Sequence, residues 1–214
     1  VNAALQNGID GINVDFEQIP TDVGEHYIQF IRELSVLCRV NNLVLSVDNY
    51  VPKGYNTHYH REEQGVMADY VIIMGYDEHF AGGDAGSVAS LSYVENGITG
   101  TLEEVPKEKL INSVPFYTRV WTEKDGKTTS KAYGITAAQN WVDENNVELT
   151  WQDDAGQYYG EVENENGIQK IWMEETKSLG LKKDLVNKYD LAGIACWKLG
   201  FETADIWDVM NDVN

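Results

Sequence analysis

Five apolar runs of strand length recur along the chain, and each ends in polar or aromatic side chains. They are GINVDFEQI (11–19), NLVLSVDNY (42–50), DYVIIMGYDEH (69–79), INSVPFYTRVW (111–121) and, much later, LAGIACWKLG (191–200). Helical stretches separate them. GEHYIQFIRELSVLCRVN (24–41) spaces Tyr27, Ile28, Ile31, Leu34, Leu37 and Cys38 as one face of a helix. HREEQGVMA (60–68) reads as a short helical link, FAGGDAGSVAS (80–90) as a loop, and LEEVPKEKL (102–110) and EETKSLGLKKDLVNKYD (174–190) as helices. ADIWDVMNDV (204–213) reads as a last helix. Strands joined through crossover helices pair in parallel, and parallel strands covered on both faces read as continuous apolar runs. The polar groups gather at the strands' C-terminal ends: Asp15 and Glu17, Asp48 and Asn49, Tyr76 and Asp77, Arg119, and Trp197. A (β/α)8 barrel carries its active site there, and so does a doubly wound sheet. The doubly wound fold usually places a Gly-rich phosphate turn after its first strand, and this chain has none.

Within the first run the side chains alternate. Ile12, Val14 and Phe16 face one way and Asn13, Asp15 and Glu17 the other, because successive strand side chains point to opposite faces. Three acid or amide groups on one face form a ladder climbing to the strand end, with Glu17 last. Burial and a neighbouring carboxylate both raise a carboxyl pKa, so Glu17 reads as a general acid. The plainer alternative is that Asp15 and Glu17 cap the next helix. The matching polar ends of the other strands favour the ladder, and Gly11 permits close packing beside it.

Charge excludes several partners. The chain has 35 acids against 16 bases and a formal net charge of −19, the opposite of a nucleic-acid surface. No run approaches the roughly 18 apolar residues of a membrane span. Cys38 and Cys196 stand far apart without metal-ligand or redox-motif spacing and read as free thiols. His26, His58, His60 and His79 form no metal motif, so neither metal nor cofactor is expected.

After Trp121 the pattern changes. GKTTSKAYG (126–134), VELTWQDDAGQYYGEVEN (147–164) and GIQKIWMEE (167–175) read as short antiparallel strands, with turns at Asp125-Gly126 and Ala155-Gly156. This divides the chain into residues 1–121, an α+β insertion over 122–180, and 181–214 with the last strand and helix.

At this point the residues carry a resemblance. DGINVDFE is similar to the DGxDxDxE signature of glycoside hydrolase family 18, the chitinase and N-acetylglucosaminidase family. MGYDEH resembles its M-x-Y-D on the sixth barrel strand, VPFYTRVW its seventh-strand segment and GIACWKLG its eighth-strand tryptophan. The wording of VPFYTRVW and of KIWMEETKSL…DLVNKYDLAGIACWKLG resembles the bacterial spore cortex-lytic N-acetylglucosaminidases.

The resemblance implies a (β/α)8 TIM barrel of which this chain is the C-terminal part, strands four to eight, with the α+β insertion between strands seven and eight. Strands one to three would lie upstream of Val1, which opens inside a helical stretch without an initiating Met. It also implies roles. Glu17 would protonate the glycosidic oxygen. The nucleophile would be the substrate's own 2-acetamido oxygen, because this family departs from the two-carboxylate scheme. Asp15 would accept the acetamido N–H, and Tyr76 would hold that group from the other side. Trp197 would floor the sugar, and Asp77 and Arg119 would bind hydroxyls or neighbouring subsites. Trp121 and Trp141 would either stack on sugars at the rim or pack the insertion onto the barrel. One position departs: Asn13 stands where the family often has Asp, so Asp15 has one fewer like charge beside it. The implied substrate is a polysaccharide containing β-1,4-linked N-acetylglucosamine, peptidoglycan ahead of chitin. The implied setting is extracellular, cell-envelope or spore-associated. The rivals are a non-catalytic glycan-binding relative, which would typically lack the acid, and an unrelated α/β scaffold.

Overall fold

The computed structural model of the protein describes residues 1–211. In chain order the helices and strands are α1 (Asn2–Asn7), β1 (Gly11–Val14), α2 (Gly24–Val40), β2 (Val44–Tyr50), α3 (Arg61–Met67), β3 (Tyr70–Met74), α4 (Leu91–Leu102), β4 (Leu110–Pro115), β5 (Tyr117–Lys124), β6 (Lys127–Gly134), α5 (Ile135–Glu144), β7 (Thr150–Gln152), β8 (Gln157–Asn164), β9 (Gly167–Met173), α6 (Thr176–Lys188), β10 (Gly193–Trp197) and α7 (Ile206–Met210). Two five-stranded sheets result, ordered β1-β2-β3-β4-β10 and β6-β5-β9-β8-β7. Asp212 and Val213 of the expected last helix, and Asn214, lie outside the described residues.

Backbone contacts group the chain into two compact units. The first comprises Val1–Met74, Gly97–Asn112 and Tyr189–Gly193. Its strands β1, β2 and β3 pair in parallel, with Asn13 opposite Ser46 and Val14 opposite Val47. The parallel pairing follows from the crossovers through α2 and α3. Gly11 is required where it stands: a Cβ there would lie 2.7 Å from the Val44 carbonyl oxygen. Val14, Leu45 and Val47 pack with Tyr27, Ile28, Ile31 and Cys38 of α2 in one buried cluster. Leu37 does not join it and is 50% exposed. One residue is 100° of helical turn, so Leu37 falls off the stripe that Cys38 completes.

The second unit comprises Gly75–Asn96, Ser113–Lys188 and the residues from Ile194 onward. It holds the second sheet, in which β5 pairs antiparallel with β6 and β9, and β8 pairs antiparallel with β7 and β9. Asp125 and Gly126 turn the β5–β6 hairpin with φ of 50° and 70°, the left-handed pair that a two-residue hairpin wants. Helix α5 covers this sheet, and Ala138, Trp141 and Val142 pack on Val120, Ile171 and Met173.

Two elements differ from the expected ones. The run 102–110 is not a helix but turns and a short 3-10 segment, Lys107–Lys109. The helix lies earlier, over LSYVENGITGTL, where two glycines mask its period. The expected single strand 111–121 is two strands, β4 and β5, separated at Phe116, and β5 belongs to the antiparallel sheet.

Candidate active site

In the first unit the ladder is present but is built across two strands. Strand β1 ends at Val14, so Asp15 and Glu17 stand on the irregular segment beyond it. Asn13 donates through Nδ2 to Ser46 Oγ (2.9 Å) and to Asp48 Oδ1 (2.8 Å). Tyr50 Oη donates to Glu17 Oε2 at 2.7 Å. Ser46, Asp48 and Tyr50 alternate along β2 and so share one face, opposite Leu45, Val47 and Asn49. Asn49 is buried and pairs with Gln64 at 2.6 Å, a structural role.

Glu17 stands at the solvent end of the ladder, as its last place in the run suggests, but Asp15 and Phe16 are exposed as well. Phe16, expected on the apolar face of a strand, is 54% exposed with its ring stacked on Phe30 at 5.6 Å. Both follow from β1 stopping at Val14, after which strict alternation lapses. Burial falls instead on Asp48, whose carboxyl is pushed up from 3.8 to about 6, first by desolvation and then by Asp15 and Glu17, while the Asn13 bond pulls the other way. Desolvation, then Glu17, also raises Asp15. Burial and the bond to Glu17 push the Tyr50 phenol up, so it stays a proton donor. Beside these groups a groove of about 550 Å³ opens, walled by Phe16, Val23, Tyr27 and Phe30 with Asp15 and Glu17 on its lining.

The second unit holds the other residues expected at the site. Asp77 takes φ of 57° just past the end of β3 and accepts the Tyr117 hydroxyl at 2.6 Å through Oδ1. Tyr76 packs edge-on to the Tyr117 ring at 6.1 Å, and Tyr93 Oη donates to the Tyr76 carbonyl at 3.3 Å. Arg119 donates to Ser130 Oγ at 3.0 Å, while its buried Nε has no hydrogen-bond partner. Trp197 ends β10 and is 50% exposed. Trp121 is corrected as a sugar-stacking residue. It is 1% exposed and donates through Nε1 to the Gly86 carbonyl at 2.8 Å, so no ring face is open. Trp141 likewise packs in the α5 core. Asp48 was expected at the polar strand ends but without a role of its own, and Tyr50 and Tyr117 were not among the expected site residues. The signal for the first two was the S-x-D-x-Y alternation of the second strand, readable once β1 and β2 are paired.

The chain matches the model of the glycosyl hydrolases family 18 over residues 1–202. It belongs to that family. The cortical fragment-lytic enzyme of Bacillus subtilis is 28% identical over 99% of this chain and 51% of its own length. The uncharacterized glycosylase YvbX of the same organism is 25% identical over 97% of this chain and 62% of its own. The chain thus spans roughly half of the curated relatives it matches. A chitinase from Chromobacterium violaceum superposes with a TM-score of 0.92 at 25% identity, covering 98% of this chain and 68% of that one. The spore cortex-lytic enzyme SleL of Bacillus megaterium superposes at 0.88 and 23% identity, over 99% of this chain and 51% of its own, and bears on the fold. Family 18 membership accounts for the α/β fold with its parallel sheet. No described helix is long and apolar enough to cross a membrane.

Proposed function

We propose that the chain is part of a glycoside hydrolase that cleaves β-1,4-linked N-acetylglucosamine polymers, peptidoglycan ahead of chitin, by substrate-assisted retaining catalysis. The observation that carries this reading is the Asn13–Asp48 and Tyr50–Glu17 hydrogen bonding at the C-terminal ends of two parallel strands. It presents an exposed carboxyl, held by a phenol, beside Asp15, raised by desolvation and then by Glu17, and Asp48, raised by desolvation and then by Asp15 and Glu17. Glu17 protonates the leaving oxygen. The substrate's acetamido oxygen attacks the anomeric carbon, and Asp15 accepts the acetamido N–H and offsets the oxazolinium charge. Glu17, now a carboxylate, then takes a proton from water as that water attacks the anomeric carbon and breaks its bond to the acetamido oxygen, with the β configuration kept. Tyr76, Asp77, Arg119 and Trp197 take the acetamido, hydroxyl and ring-floor roles that the family pattern gives them. The five strands of the first sheet correspond to strands four to eight of the barrel, with β5 to β9 as the insertion. The names of the curated relatives support peptidoglycan and a spore-envelope setting.

The test is turnover by the full-length protein on N-acetylglucosamine oligosaccharides and on peptidoglycan. The acetamido group is expected to be indispensable, and the product to keep the β-anomeric configuration. Glucosyl analogues should be inert, and a thiazoline mimic of the cyclic intermediate should bind far more tightly than substrate. Inversion, seen by NMR of fresh product, overturns the mechanism. Binding without turnover points to the lectin reading.

A further inference from the structure

The second unit contains a buried ion pair that the proposed chemistry does not use. Lys182 Nζ sits 2.9 Å from both carboxylate oxygens of Glu174, and both side chains are wholly buried. Such a pair is weak evidence for stability, because desolvating two charges offsets most of their attraction, and apolar residues of similar volume often serve as well. Its remaining bonds lead elsewhere. Glu174 accepts from Ser178 Oγ (2.7 Å) and from Gln157 Nε2 (2.7 Å). Gln157 Oε1 accepts a short bond from Ser87 Oγ, and Ser87 Oγ in turn accepts the Ala89 N–H at 3.0 Å. Lys182, Glu174, Ser178 and Gln157 are fully buried and Ser87 is 6% exposed, so water does not compete for the chain of bonds.

The chain ends on the loop Ser87–Ser90, and that loop grips the segment after β3. Glu78 N–H donates to the Val88 carbonyl at 2.9 Å, and Ser90 N–H donates to Glu78 Oε2 at 2.8 Å. Glu78 follows directly on Tyr76 and on Asp77, whose left-handed φ needs support from its surroundings. A planar amide at Gln157 ties a fixed charge pair to a serine at a set distance and direction, which an apolar contact cannot do.

We infer that Glu174 and Lys182, acting through Gln157 and Ser87, are positioning residues that fix the Tyr76–Asp77–Glu78 segment. That this segment serves turnover rests on the function proposed above.

The test uses Ser87→Ala in the full-length protein, with Gln157→Met as the second variant, which cuts the same link at nearly constant volume. Two readouts are compared with the parent. The first is hydrogen exchange of the Glu78 and Ser90 amides, expected to be at least about tenfold faster, the size of one hydrogen bond, while α5 amides keep their rates. The second is kinetic: kcat should fall at least about tenfold with KM within about threefold, because misplaced groups near reacting atoms cost rate. A folded variant with unchanged exchange at Glu78 and Ser90 overturns the inference. So does faster exchange with kcat intact, which would leave the pair merely structural. A parent that cleaves no N-acetylglucosamine polymer sinks the proposed function instead, and the exchange result still decides whether the link holds the segment.

Discussion

Tyr50 Oη donates a hydrogen bond to Glu17 Oε2 across 2.7 Å, from β2 to the segment beyond β1. This bond fixes one oxygen of an otherwise exposed carboxyl and leaves Oε1 as the free face. Hydrogen bonds to charged groups contribute about 1.5–3 kcal/mol, toward the low end for an exposed partner. Tyr50→Phe is expected to lower kcat by about tenfold. Steady-state kinetics checks this; an unchanged kcat would show that the phenol does not orient the acid.

Glu17→Gln keeps the shape and removes the proton. General acid catalysis is worth about 10²- to 10⁴-fold, and a loss of that size in kcat is expected with oligosaccharide binding retained. Near-parental turnover would falsify the assignment.

Asp48 makes stability depend on pH. Its carboxyl titrates near 6 in the folded protein against an ordinary 3.8, so the folded state holds the proton more tightly than the unfolded chain. Its contribution favours folding fully below 3.8 and is lost as pH rises through about 6. Asp48→Asn, which can still accept from Asn13, should therefore match the parent in Tm at low pH and exceed it at neutral pH. A gap that does not grow between these limits would show that Asp48 is not the group held up.

Lys182→Met leaves a carboxylate buried without its cation, at a cost of about 3–5 kcal/mol. The double change Glu174→Gln with Lys182→Met removes both charges, and the new amide can accept from Gln157 through its oxygen and donate to Ser178 Oγ through its NH2, so at least half of that loss should return. Denaturant titration measures both. Equal losses in the two variants would mean that the charges matter less than the shape.

Much of the first sheet could be read directly. The apolar runs at 42–50 and 69–79 are β2 and β3, and the helix at 24–41 is α2 within a residue at each end. These segments are long and periodic, and burial enforces the period. Helix α4 was hidden because Gly97 and Gly100 weaken helical propensity; each instead admits a close neighbour, with Val51 and Pro52 side chains within 4 Å of where a Cβ would stand. The one local sign of the break at Phe116 is Pro115, which ends β4 and cannot donate to a ladder, and only the partners of β5 reveal the second sheet. At the site, the acids Asp15 and Glu17 were legible as residues, but their place beyond the end of the strand was not. That depends on where β1 stops, and element ends are set by tertiary pairing rather than by the local pattern.

Phe116 N–H donates to the Trp197 carbonyl at 2.7 Å. The chain therefore departs from β4 and comes back at β10 through neighbouring points, and everything from β5 to α6 is an excursion with joined ends. Closing such an excursion costs little more as it lengthens, about 0.6 kcal/mol per doubling, so in principle this stretch can be swapped, grown or trimmed as a module while the strands on either side keep their register. Gln157 and Glu174 limit that freedom. They lie inside the excursion and hold Ser87, which lies outside it, so a transplanted module would have to bring an equivalent amide and carboxylate or leave the segment after β3 without its anchor.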